Sequence, residues 1–222
     1  MKLARKSGPG ARRAREARRR GCGLRGADAM KILVACEFSG VVRRAARARG
    51  HDAISCDLLP AEDGSPHHYQ GDVRNILYEP WDGLIAHPVC TRLTLAGVRW
   101  LHERNLWAEL DEACAFFRLF LGAKHIRKRA IENPQPHRYA IERIGRNYDQ
   151  KVHPWQFGWP ETKGICWWLD NLPPLKPTLI LPPEQRLPRV WRMPPSPTRA
   201  KERSRFFEPV ADALIDQWFG DA

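Results

Sequence analysis

Between Met30 and Pro134 the chain repeats one unit: a short apolar run that stops on polar residues, followed by a helical or loop return. Residues 31–36 form the first run. Ser39-Gly40 then opens a helix over 41–49, with Val41, Val42, Ala45 and Ala48 on one side and Gly50 as its stop. Residues 52–56 predict a second strand ending at Asp57. Residues 58–70 are polar and read as a loop, and Gly71-Asp72-Val73 begins a third unit. Residues 82–86 predict a fourth strand. In 108–121, Leu110, Ala113, Cys114, Phe117 and Leu121 recur at helical spacing. Glu109, Asp111 and Glu112 fall in that helix's first turn, where the dipole favours acids. Residues 129–131 predict a fifth strand, closed by Glu132-Asn133-Pro134. Strands that alternate with helices leave few solutions. The expectation is an α/β fold with a doubly wound, mostly parallel sheet.

The texture changes at either end. Residues 135–204 are rich in Pro and Trp, with late strands expected over 165–169 and 178–181 and a proline-laced basic loop over 186–203. A closing helix over 209–219 turns Val210, Ala211, Leu214, Ile215 and Trp218 inward, with Pro209 in its first turn. Residues 1–29 hold ten Lys/Arg against two acids and almost no core residues. Such a segment cannot bury enough apolar surface to fold, so a disordered basic extension is expected. It reads as a nucleic-acid arm, as a transit peptide, or as an upstream extension ahead of a true start at Met30. The clean strand at Met30 favours the last. Residues 30–222 are then one domain. They carry 27 basic and 23 acidic residues, so most of the formal +12 belongs to the extension and charge argues little for a nucleic-acid partner.

Six cysteines stand at 22, 36, 56, 90, 114 and 166. None forms a CxxC pair or has a histidine at zinc-finger spacing, so no metal is expected. They form no disulfide framework, which fits a reducing cytoplasm. No run of 18 apolar residues predicts a membrane span, and no apolar segment near the start predicts a secretory signal.

Polar residues gather at the strand ends: Phe38-Ser39-Gly40, Asp57, Asp72, Pro88-Val89-Cys90 and Glu132-Asn133. In open α/β sheets, ligands bind outside the carboxyl ends of the strands. Each residue alone is ordinary. A glycine before a helix is as often a plain turn, Asp is common where strands end, and cysteine is among the most buried residue types. Their order points to a site.

That order resembles the cytosine-5 DNA methyltransferases, which use S-adenosylmethionine, and more closely a compact phage and prophage set of DNA cytosine methyltransferase-like proteins. The likeness covers nearly all of residues 30–219. It is carried by MKILVACEFSG, GHDAISCDLLP, QGDV, WDGLIAHPVCTRLTLAGVRW, IENP, PWQFGWPETKGICWWL, LPPLKPT and ERSRFFEPVADALIDQW. The resemblance implies a Rossmann-like class I methyltransferase fold. It implies Phe38, Ser39 and Gly40 as the cofactor loop, Asp57 for the ribose, Asp72 for the adenine amino group, and Pro88 beside them. It makes Cys90 the nucleophile, Glu132 the acid on ring nitrogen-3, and Asn133 the residue that holds the Pro-Cys loop. Lys163 and Arg203 are its candidates for gripping the base, and the lead-in to the closing helix would wall the cofactor loop.

The chemistry explains these residue types. Cytosine carbon-5 is a poor nucleophile until a thiolate adds at carbon-6. Free cysteine is only a few per cent thiolate at neutral pH, so the loop or the bound base must activate Cys90. Glu132 would offset the charge that develops at nitrogen-3, which calls for a raised carboxyl pKa. A base in a duplex would be flipped out to reach such a site. The chain departs from the pattern where Val89 replaces a second proline, which loosens the loop, and where His87 precedes the first; His87 is placed to tune the Cys90 thiolate. Cys36 stands where an acid is usual, with Glu37 beside it. There is no room for a large target-recognition domain, so readout falls to 186–203 or to Trp155, Trp159, Trp167 and Trp168, which otherwise pack the core or a lid. DNA is the expected partner, with a free pyrimidine nucleotide as the variant acceptor. The rival from another class is a silent cofactor-pocket protein, a decoy or regulator. A zinc deaminase is excluded, because His87-Pro88-Val89-Cys90 lacks both of its motifs.

Overall fold

The apolar runs pair side by side in a computed structural model that describes residues 29–220. Seven strands form one sheet: β1 (Lys31–Ala35), β2 (Asp52–Asp57), β3 (His68–Gln70), β4 (Gly83–Ala86), β5 (Lys128–Asn133), β6 (Gln150–Val152) and β7 (Ile165–Asp170). Their order is β3-β2-β1-β4-β5-β7-β6. The first five strands pair in parallel, and β7 runs antiparallel to both neighbours. This is the doubly wound order 3-2-1-4-5-6 with one reversed strand inserted.

The seven α-helices described are α1 (Val41–Ala48), α2 (Val98–Glu103), α3 (Trp107–Leu121), α4 (Arg138–Ile144), α5 (Arg189–Arg192), α6 (Arg199–Ser204) and α7 (Glu208–Trp218). Central strands buried on both faces read as continuous apolar runs, and Ile32–Ala35 and Leu84–Ala86 are fully buried. Alternate residues enter opposite cores. Ile32, Val34 and Ile85 join Val42 of α1 and Leu214 and Trp218 of α7. Leu33, Ala35 and Leu84 join Phe117 and Phe120 of α3.

Three expectations need correction. Residues 68–70, read as loop, pair with Ser55–Asp57 as edge strand β3. Residues 178–181 form no strand; Leu179 makes one isolated bridge to Phe157, and Leu179 and Ile180 stay exposed. Strand β6, which places only Val152 in the core, went unanticipated. Edge strands of three residues carry too few buried positions to show an alternation. The extension over 1–29 lies outside the described residues except for Ala29. Among the described residues no helix is long and apolar enough to cross a membrane, and no group of His, Cys, Asp and Glu is placed to hold a metal ion.

Candidate active site

The turn after β1 is built on a buried carboxylate. Glu37 Oε1 accepts from Val42 N–H at 2.7 Å and from Ser39 Oγ at 3.4 Å, at the N-terminus of α1. The positive end of the helix suits that charge. Burial nonetheless pushes the Glu37 carboxyl up, against the His87 charge and the α1 N–H groups. Ser39 is therefore spent inside the turn. Gly40 adopts φ +69°, and a Cβ there would overlap Arg43 Nη2, so the position requires glycine. Arg43 is fully buried and ion-pairs with Asp63.

The closing segment roofs this turn. Phe38 is buried with Lys201 Nζ 5.2 Å above its ring. Its carbonyl accepts from Glu62 N–H at 2.9 Å, and Glu62 pairs with Arg205, whose Nε lies 3.0 Å away.

Asp57 and Asp72 reach the same edge. Burial, and then the Asp57 charge, push the Cys36 thiol well up, with Asp72 adding to the effect. Asp57 Oδ1 accepts from Leu59 N–H at 2.9 Å. Both Asp72 oxygens are engaged by Arg74, through its N–H at 2.9 Å and Nη1 at 2.8 Å. Asp72 thus caps a local turn, a use the sequence pattern did not indicate.

After β4, Pro88 is buried, Val89 is 63% exposed and Cys90 is half-buried. The end of β5 holds this loop. Asn133 Nδ2 donates to the Pro88 carbonyl at 2.9 Å. His137 N–H donates to Leu93 O at 3.0 Å, and the His137 ring bonds Arg92 O at 2.8 Å. These bonds restrain a loop that has Val89 in place of a second proline. Asn133→Ala leaves a buried carbonyl unpaired, and the expected cost is about 1–3 kcal/mol of stability, read by denaturant unfolding. An unchanged midpoint would remove Asn133 as the clamp.

Glu132 lies inside this clamp, 7% exposed. Its Oε2 meets His87 Nδ1 at 3.3 Å. Burial pushes its carboxyl up, but the His87 hydrogen bond and the Lys163 charge outweigh burial and hold it below the usual value. This corrects the expectation of a raised carboxyl: a histidine 45 residues away in the chain offsets the desolvation. Cys90 goes the other way. Burial and the Glu132 charge push its thiol up, against the smaller pulls of Lys163 and Arg203. The loop therefore stores Cys90 as a thiol. Lys163 and Arg203, far apart in sequence, meet here, with Lys163 Nζ donating to Arg203 O at 3.5 Å.

Glu161, absent from the sequence reading, fixes that pair. It is buried, accepts from Thr162 and Lys163 N–H through Oε1, and reaches Val190 N–H of α5 through Oε2 at 2.9 Å. A single buried acid in a Pro-rich stretch carries no signal of such bridging. The four tryptophans go to packing. Trp167 and Trp168 are fully buried, Trp155 stacks on His153 with Arg186 3.7 Å from its ring centroid, and Trp159 meets Phe207. Trp191, which the reading did not single out, is 77% exposed.

Buried polar atoms usually find partners. Around Cys90 four do not: Glu132 Oε1, Asn133 Oδ1, His87 Nε2 and Trp167 Nε1. Trp167 is the cross-strand partner of Glu132, and its ring meets that of His87 edge to face. A cavity of about 630 Å³ opens on the other side of the cofactor turn, lined by Ser39, Arg44, Trp159, Arg189 and Phe206 among others; neither Cys90 nor Glu132 lines it. No protein-family model matches the chain, and no curated protein is significantly similar to it.

Proposed function

We propose that this protein transfers a methyl group from S-adenosylmethionine to carbon-5 of cytosine in DNA, with Cys90 adding covalently at carbon-6, on a Rossmann-like class I methyltransferase fold. The observation that carries the reading is the set of unpartnered buried polar atoms, led by Glu132 Oε1 and Asn133 Oδ1, beside a half-buried thiol. A polar ring that exchanges hydrogen bonds with them offsets their desolvation. The Phe38–Gly40 turn and Asp57 would hold the cofactor. They suit it, because the turn has no room for a Cβ at Gly40, and Leu58, 73% exposed next to Asp57, offers an apolar face for an adenine. The cofactor supplies an electrophilic methyl on sulfonium. Cys90 contributes the carbon-6 bond, Glu132 bonds nitrogen-3, and Asn133 holds the thiol's loop.

Basic and aromatic side chains on both flanks support a nucleic-acid substrate. Arg99 and Arg104 each lie 4.1 Å from the Trp100 ring centroid, and Trp191 projects between Arg189 and Arg192.

The testing experiment incubates the protein with S-adenosylmethionine and DNA containing 5-fluorocytosine. A covalent adduct retained in denaturing gels is the expected result, and its absence removes the proposed reaction. The second reading, a cofactor-pocket protein without turnover, is favoured by the upward push on the Cys90 thiol. It expects cofactor binding and no adduct. Asp57→Ala is expected to weaken cofactor binding by about tenfold, as for one lost charge-assisted hydrogen bond. Calorimetry showing no cofactor binding to the unaltered protein would sink both readings.

A further inference from the structure

His87 sits between two buried carboxyls from different strand ends. Its Nδ1 is 3.3 Å from Glu132 Oε2, its ring packs 5.0 Å from Phe206 and edge to face on Trp167, and its Nε2 is buried without a partner. On the other side its charge acts on Glu37, beneath the cofactor turn. We propose that His87 is the proton store of this site, holding against Glu132 the proton that ring nitrogen-3 takes up when Cys90 adds to carbon-6. This deepens the cytosine reading and rests on it.

The geometry leaves the proton few other places. Glu132 is the group that faces the base, yet His87 and Lys163 hold it ionised at rest. An ionised carboxylate accepts hydrogen bonds but donates none. Nitrogen-3 gains electron density as the Cys90 sulfur bonds carbon-6 and the carbon-5–carbon-6 double bond opens toward the ring nitrogen. A proton moving from His87 Nδ1 to Glu132, and from Glu132 Oε1 to nitrogen-3, neutralises that charge without drawing on bulk water. The thiol proton of Cys90 leaves to solvent. When Cys90 is eliminated, nitrogen-3 returns its proton to Glu132 and His87, so the pair is regenerated. The groups that set the balance are Glu132 on β5, Glu37 after β1 with Arg43 beside it, Lys163 before β7, and Arg203 on α6 with Cys90 itself. His87 acts through Glu132 and is a positioning residue.

His87→Gln keeps a hydrogen-bonding side chain of similar size and removes the titrating ring. Two measurements test it. In the free protein, the carboxyl carbon of Glu132 is followed by NMR through a pH titration; the variant is expected to move its midpoint upward by about one unit or more, since burial then acts unopposed by the ring. In adduct formation with 5-fluorocytosine DNA, the falling alkaline limb is expected to shift to lower pH. The variant is then about tenfold slower or more at pH 8, with the gap closing towards about pH 6. A rate lowered by one factor at every pH, or an unmoved Glu132 titration, overturns the proton store and leaves the methyl-transfer reading standing. Unaltered protein that forms no adduct at any pH overturns the methyl-transfer reading and the hand-over together, while the Glu132 titration still shows whether the pair exists.

Discussion

Cys90→Ala is expected to lower methyl transfer to cytosine by on the order of 10⁴-fold or more, the scale on which removal of a covalent nucleophile acts. The alanine variant should form no adduct with 5-fluorocytosine DNA. It should still bind S-adenosylmethionine, because Cys90 is held by the β4 and β5 ends, whereas the cofactor turn is held by Glu37 and Arg43. Its folding should be nearly unchanged, since Cys90 lies only half inside the protein. The comparison is made by mass spectrometry of the adduct and by calorimetry of the cofactor. An alanine variant that crosslinks as well as the parent would assign the nucleophile elsewhere.

Asp63→Asn is expected to destabilise the fold by about 3 kcal/mol at neutral pH. Arg43 is 1% exposed and its Nη1 has no partner, so losing the Asp63 charge strands a buried guanidinium. Breaking one side of a buried pair costs about 3–5 kcal/mol, and the lower end applies because the Asp63 side chain is 28% exposed. The pH dependence has a definite sign. Burial pushes Asp63 up, but its bonds to Arg43 and Arg44 outweigh that and bring it from 3.8 down to about 2. A carboxyl depressed on folding stabilises fully above its unfolded value and loses that contribution as pH falls through its folded one. The stability gap between parent and variant should therefore be constant from neutral pH to about 4 and shrink by on the order of 2 kcal/mol between there and pH 2. Urea unfolding across that range measures it. Cofactor affinity should fall as well, since Arg43 lies against Gly40. A gap that does not change with pH would show that Asp63 contributes by packing alone.

Strand order was legible wherever a strand is buried on both faces. Ile32 to Ala35, Leu84 to Ala86 and Ile165 to Leu169 show unbroken apolar runs, and α1, α3 and α7 show helical spacing against them. Strands β3 and β6 were not legible, because each has three residues at a sheet edge and at most one in the core. Asp57, Asp72, Cys90, Glu132 and the Phe38–Gly40 turn do collect at one edge, since residues at the ends of neighbouring parallel strands must. Their individual uses were less visible. Ser39 and both oxygens of Asp72 serve local turns, and Glu37 and Glu161 are buried anchors that read in sequence as two acids among many.

Sequence alone determined which edge of the sheet is polar and which residue types stand there. That follows from the two-residue period of strands and the short returns between them. Only the tertiary structure decided their protonation. Whether Glu132 is ionised and Cys90 a thiol depends on burial and on charges brought by His87, Lys163 and Arg203 from other elements. Electrostatic work in a low-dielectric interior is set by distances of a few ångströms, and no spacing along the chain encodes them.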